Sequence, residues 1–290
     1  MTEQQTGAPV SNTRPNAWLL AGVASVAAAG VWAYARRSGR ADDQASRDRL
    51  TYPPLDEPKA IDDGLWIVDS GPISAMGLGL PIRMTIVRLT NGDLLLHSPT
   101  PYSPELAHAI DALGRVRHLV APNVAHWTFL AEWQRTYPDA VTWASPGLGE
   151  RPQVRASDVR IDTVLKHTAP EEWADVLDQG VVIGKGGFTE TWFFHRPTRT
   201  LLLVDLIENL EPDKLPPVER WLMQAAAATR GTTARYLRIP VHLGGEQARR
   251  SIRAMLALDP NRVIFAHGRI FDRDAAARLH RAFDWLVRMV

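Results

Sequence analysis

The chain predicts an α/β fold, a four-layer αββα sandwich, and three observations predict it. From Ile61 onward each half shows β-type runs first and helical periodicity afterwards, the order of two helix-covered sheets rather than one doubly wound parallel sheet. Three apolar runs, Leu119–Ala121, Leu201–Val204 and Val263–Ala266, end at Pro122-Asn123, Asp205 and His267-Gly268. Buried strands end this way when they deliver a polar residue to a sheet edge. No short repeat period interrupts this order.

In the first half, Gly64 to Asp69 reads as a strand. Ile82 to Leu89 and Asp93 to His97 flank Asn91-Gly92 and form a β-hairpin, because such turns need a positive φ. Ser103 to Leu113 predicts a helix, with Pro104 and Glu105 suited to its first turn and Gly114 to its stop. Val116 to Val120 is a strand. His126 to Arg135 carries Trp127, Leu130, Ala131 and Trp133 on an amphipathic helix, and Val141 to Ala144 closes the half as a short strand.

The second half repeats the style. Val176 to Ile183, Thr189 to Phe194 and Thr200 to Leu206 predict strands, the last two joined by the turn His195–Arg199. Helices are expected over Val218 to Thr229 and Gln247 to Leu258. A strand over Arg262 to Ala266 and a helix over Arg273 to Val290 complete the chain.

The N-terminus has another character. Ala17 to Ala35 is uncharged and about 19 residues long, enough to cross a bilayer core of roughly 30 Å as a helix. Trp18 stands at one end, Trp32 and Tyr34 at the other, and Arg36, Arg37 and Arg40 follow. The positive-inside rule then predicts a single-pass membrane protein with its C-terminal part in the cytoplasm. A cleaved signal peptide is the competing reading, since Ala33-Tyr34-Ala35 has the small-x-small form, but charge follows it directly and Met1 to Asn16 lacks a basic character. The organisation expected is a tail (1–16), a transmembrane anchor (17–35), a charged and proline-rich linker (36–60) and one folded domain (61–290).

Composition narrows the function classes. A net charge of +1 offers no general attraction to nucleic acid, and no basic stripe with interleaved aromatics supports it. The absence of cysteine removes disulfides, thiolate metal sites and cysteine nucleophiles. Ser98 and Ser145 precede prolines outside any Gly-x-Ser-x-Gly elbow, which argues against a serine hydrolase.

From residue 61 to the end, the order of elements resembles the metallo-β-lactamase superfamily. The resemblance is clearest in Arg250 to Gly268, where a helix, an Asp259-Pro260 turn, a strand and His267-Gly268 follow one another. More narrowly, Arg83–Arg88, His97-Ser98-Pro99, Val120–Asn123 and Phe194–Thr200 are similar to domain-of-unknown-function family 4336. The superfamily resemblance implies a metallo-β-lactamase-like sandwich and a metal site assembled from His126, Asp205 and His267. It also shows what is missing. The superfamily's first motif is His-x-His-x-Asp-His, and the corresponding residues are Ala121, Asn123, Ala125 and His126; no histidine stands between Gly186 and Glu190.

Two readings of these residues remain. In one, His126 packs at a helix start, Asp205 bonds backbone amides, and His267 is buried and hydrogen-bonded, as buried polar groups are with or without a metal. In the other, the three hold a single zinc or iron ion as a three-ligand shell with water. The ligand count favours the first, so no cofactor is expected. His97, Asn123 and His242 are candidates for supporting or vestigial positions. His97 is expected to hydrogen-bond a neighbouring loop, and His242 to sit in a glycine-bearing loop, Ile239 to Gly245. His195 is expected in a solvated turn. The function predicted is a membrane-anchored, degenerate metallo-β-lactamase-fold domain that binds a small molecule or a protein, with little or no hydrolysis. The alternative is a mononuclear metal-dependent hydrolase.

Overall fold

Strands that are apolar at consecutive positions, not only at alternate ones, need cover on both faces. The computed structural model, which describes residues 48–75 and 78–287, provides it. Strands β1 (Lys59–Asp62), β2 (Leu65–Ala75), β3 (Leu78–Arg88), β4 (Asp93–His97), β5 (Arg115–Ala121), β6 (Val141–Ala144) and β7 (Thr163–Val164) form one sheet in that order. Its first four strands pair antiparallel and its last four parallel. The second sheet has the order β11 (Arg262–Ile264), β10 (Thr200–Leu202), β9 (Thr189–His195), β8 (Leu177–Ile183).

Side-chain alternation sorts each run between two layers. Leu95, Val120, Phe193, Leu202 and Ile264 fill the space between the sheets. Their neighbours Leu94, Leu96 and Leu119 face outward against α1 (Pro104–Asp111) and α2 (Leu130–Thr136). On the other sheet Phe194, Leu201 and Val263 face α5 (Arg235–Leu243), α6 (Gly245–Leu256) and α7 (Ala275–Val287). Two further helices, α3 (Pro152–Arg155) and α4 (Pro217–Ala225), lie in the connections. The αββα sandwich is therefore the observed architecture, and each fully buried Leu, Ile or Phe contributes about 1.5–3 kcal/mol to it.

Several boundaries differ from the sequence expectation for identifiable reasons. Residues 126–129 form turns rather than the start of a helix, and α2 begins at Leu130. Strand β10 stops at Leu202 instead of Leu206, because the backbone N–H groups of Val204, Asp205 and Leu206 bond to the Glu190 carboxylate and not to a neighbouring strand. Helix α4 ends at Ala225, and Ala227 has a φ of 62°. Ile239 to Gly245 is not a loop: it is the end of α5, with Pro240 inside the helix, and the first residue of α6. The hairpin turn draws its positive φ from Gly92 alone, at 86°. Ser103 caps α1 as expected, its Oγ accepting from Leu106 N at 3.1 Å.

The predicted linker is partly packed. Leu50 and Thr51 are buried, Leu50 beside Leu210, Leu215 and Met223. The Tyr52 ring lies under Arg83 and Lys214, and Lys59 Nζ donates to the Tyr52 carbonyl at 2.7 Å. Residues 50–60 therefore belong to the folded body rather than to a tether. The predicted anchor 17–35 and the tail before it lie outside the described residues. Among the described residues no helix is long and apolar enough to cross a membrane.

Candidate functional site

Three chain breaks meet at one end of the sandwich: the turn after β5, the turn after β10 and the loop after β11. They bring His126, Asp205 and His267 together, with their ligand-type atoms all within 4.8 Å of one another. His126 Nε2 and His267 Nε2 each lie 3.1 Å from Asp205 Oδ1. The second nitrogen of each ring is engaged elsewhere. His126 Nδ1 meets Ser98 Oγ at 2.7 Å, and His267 Nδ1 donates to the Pro81 carbonyl at 2.8 Å. Both Nε2 atoms thus face the same carboxylate oxygen.

Each element that carries these residues is held by a buried polar side chain. Asn123 stands two residues beyond the end of β5, where its Oδ1 accepts from the N–H groups of Ala125 and His126, both at 2.8 Å, and its Nδ2 donates to Asp205 Oδ2 at 2.5 Å. This side-chain-closed turn fixes His126 and bonds the second oxygen of Asp205. Glu190, fully buried on β9, accepts from Val204, Asp205 and Leu206 N–H at 2.9, 2.9 and 3.0 Å. Arg83, on β3, donates to the carbonyls of Phe265 and Gly268, both at 2.9 Å, and pairs with Asp69 at 2.6 Å, so it ties the His267 loop to the large sheet. Gly268 itself has a φ of 100°, and a Cβ there would stand 2.1 Å from the Asn209 carbonyl oxygen.

The charges follow from this geometry. Burial opposes ionisation of Asp205, but the charge of His126 and the hydrogen bonds of both histidines outweigh it and hold the carboxyl well below the usual range. Burial likewise opposes a charged His267, yet the hydrogen bond and charge of Asp205 raise its pKa to about 9. Burial and the Asp205 charge push the Glu190 carboxyl upward against the pull of its three amide donors. Glu208, buried and accepting from the Tyr236 hydroxyl, is raised to about 7 chiefly by burial.

Above the cluster opens a cavity of about 400 Å³. Its walls are mostly apolar, with Ile73, Leu80, Ile82, Phe129 and Leu237 among them. Ser98, Asn123, Glu208 and Tyr236 line it with the His126–Asp205–His267 set, and Arg151 and Lys185 are its cationic lining residues.

Residues 63–236, more than half of the sequence, match the family described as Domain of unknown function (DUF4336). The chain belongs to this family. Solved structures share the DUF4336 chain's fold at low sequence identity. TMB-1 is 15% identical with a TM-score of 0.54, over 81% of this chain and 99% of that one. A metallo-β-lactamase from Pontibacter korlensis is 14% identical with a TM-score of 0.53, over 79% and 98%. Rubredoxin oxygen:oxidoreductase from Desulfovibrio gigas is 15% identical with a TM-score of 0.57, over 80% of this chain but 61% of that one. These likenesses establish the metallo-β-lactamase fold. No curated protein matches the chain in sequence.

The donor set fits one metal ion. In a tetrahedral zinc shell, bonds of 2.0–2.2 Å place neighbouring donors about 3.3 Å apart, and the 3.1 Å contacts around Asp205 Oδ1 are close to that edge. Both histidines also have their Nδ1 atoms held by protein groups, as metal-binding imidazoles do. Among the described residues no second group of three such side chains comes together, and Asn123, beside the cluster, is committed to its turn.

The other sequence candidates separate. Asn123 is part of the site as an organising residue. His97 is buried edge-on to Phe193, its Nε2 has no hydrogen-bond partner among the described residues, and burial with the charge of His126 lowers its pKa to about 3, so it holds no loop through that atom. His242 lies on α5 and does not line the cavity. His195 is buried rather than solvated, with Nδ1 2.8 Å from Thr198 Oγ1. Asp205 bonds side chains; Glu190 takes the amides that Asp205 was expected to bond. Glu190, Arg83 and Glu208 were not singled out from the sequence. An isolated acid in the apolar run Thr189–His195 was the available signal for Glu190.

Proposed function

We propose that the cavity binds a small, largely apolar molecule whose polar end meets the His126–Asp205–His267 cluster, with little or no hydrolysis. The observation that carries this reading is a cluster of mutually satisfied polar groups beneath apolar walls. A metal ion is not needed to neutralise Asp205 there, because protonated His267 balances its charge and Asn123 bonds its second oxygen. The anchor at 17–35 and the cytoplasmic orientation remain part of the proposal on sequence grounds. The test is titration of the full chain with the fluorescent amphiphile cis-parinarate. Saturable binding that chelator leaves unchanged and Leu80→Gln weakens at least tenfold is expected; absence of saturable binding refutes it.

A second reading, a mononuclear metal-dependent hydrolase, is favoured by the convergence of three ligand atoms within 4.8 Å. His126, Asp205 and His267 would hold the ion, which would supply an activated water near neutral pH. Ester hydrolysis that appears with added zinc and disappears in His267→Ala would establish it.

A further inference from the structure

We propose that the face formed by α4 and α5 docks on the surface of a lipid bilayer, and that the cavity receives its amphiphilic ligand from there. The ligand half of this statement rests on the reading above; the docking half stands on separate observations.

The two helices are consecutive, and the N–H of Arg235 at the start of α5 donates to the Ala226 carbonyl just after α4. On α4 the spacing of Val218, Trp221 and Leu222 places them on one helical face, yet Val218 is 72% and Trp221 67% exposed. Met223 is the buried residue of this helix. On α5, Ile239 and Leu243, four residues apart, are 57% and 48% exposed and also line the cavity, so they stand at its mouth. All five belong to the large apolar residues left in solvent among the described residues. Apolar side chains with a tryptophan, beside basic residues, are the composition of helices that lie in a membrane interface.

Charge complementarity supports a lipid surface. Between Pro217 and Leu243 there are four arginines (Arg220, Arg230, Arg235 and Arg238) and one acid, Glu219. Exposed Lys185 lies on the turn that lines the same mouth, its N–H bonded to the Pro240 carbonyl of α5. The path of the chain agrees. Leu50 packs against Met223 of α4, and Lys214 donates to the Thr51 carbonyl at 2.9 Å. The 15 residues from Ala35 to Leu50 reach about 50 Å at most. An anchor ending at Ala35 would thus hold α4 near the bilayer.

The chain has no cysteine, so single-cysteine variants of the full chain carry one spin label each. Val218→Cys and Ile239→Cys are compared with Asp139→Cys, an exposed position just before β6 at the sheet end away from the cavity. Each protein is reconstituted into vesicles of phosphatidylcholine with phosphatidylglycerol, and collision with a water-soluble nickel complex is measured against collision with oxygen. Docking predicts nickel accessibility about tenfold lower at 218 and 239 than at 139, with oxygen accessibility raised. Equal nickel accessibility at the three positions overturns the proposal. Dipolar broadening between labels of two copies at position 218 or 239 also overturns it, and assigns the face to a second copy. The cavity reading is judged separately, by parinarate binding of the unlabelled protein.

Discussion

Replacing Glu190 by glutamine tests whether the turn bearing Asp205 is held by a carboxylate. Both Glu190 oxygens act as acceptors, one for Val204 N–H and the other for Asp205 and Leu206 N–H. Glutamine has one acceptor oxygen. Its best orientation keeps the bonds to Asp205 and Leu206, without the charge assistance, and turns its NH2 toward the Val204 N–H. A buried donor left unpaired costs about 1–3 kcal/mol, and each bond that loses a charged partner weakens by about 1 kcal/mol. Relief of the repulsion between Glu190 and Asp205 offsets part of this, so Glu190→Gln is expected to destabilise by about 3 kcal/mol. Urea unfolding at pH 9.5, above the raised Glu190 pKa of about 8, measures it by tryptophan fluorescence, with an unchanged m-value required. A loss below about 0.5 kcal/mol would refute the argument, since it would mean that a neutral side chain serves the three amides equally well.

Other outcomes follow from the same contacts. Asn123→Ala removes two bonds to backbone amides and one to Asp205, and should cost about 3 kcal/mol in the same unfolding assay. In chelator-treated protein the raised pKa of His267 contributes stability that is complete below about pH 6.5 and lost as pH rises through about 9; the loss should reach about 3 kcal/mol and vanish in His267→Gln. Ala125→Asp, which adds a carboxylate at the exposed turn beside His126, should tighten zinc binding at least tenfold by calorimetry. Deleting residues 1–47 should move the protein from the membrane to the soluble fraction with its fold retained. Deleting 1–58 also removes buried Leu50, at about 2 kcal/mol, and should yield a less stable protein.

The architecture was legible because strands covered on both faces leave continuous apolar runs, as at Leu94–Leu96 and Leu201–Val204. His126, Asp205 and His267 were legible for a related reason: each follows such a run and has nowhere to go but the sheet edge. What stayed hidden depends on long-range side-chain contacts. Nothing local marks Arg83 as the residue that bonds carbonyls more than 180 positions later. The turn of α5 into α6 was misread because Pro240 and two glycines suggest a loop, whereas the packing of Val241 keeps the helix. His195 looked solvated because its neighbours Arg196 and Pro197 are turn residues, but it is the last residue of β9 and pairs with Thr200 in the ladder.

The central proposal is that the His126–Asp205–His267 cluster holds at most a single, weakly bound metal ion. It is tested most directly by counting zinc bound to the full chain after saturation and gel filtration, by inductively coupled plasma mass spectrometry, alongside His267→Ala. The account predicts less than one ion per chain as purified, no more than one after saturation, and none in the variant. Two ions per chain, or an undiminished content in His267→Ala, would contradict it.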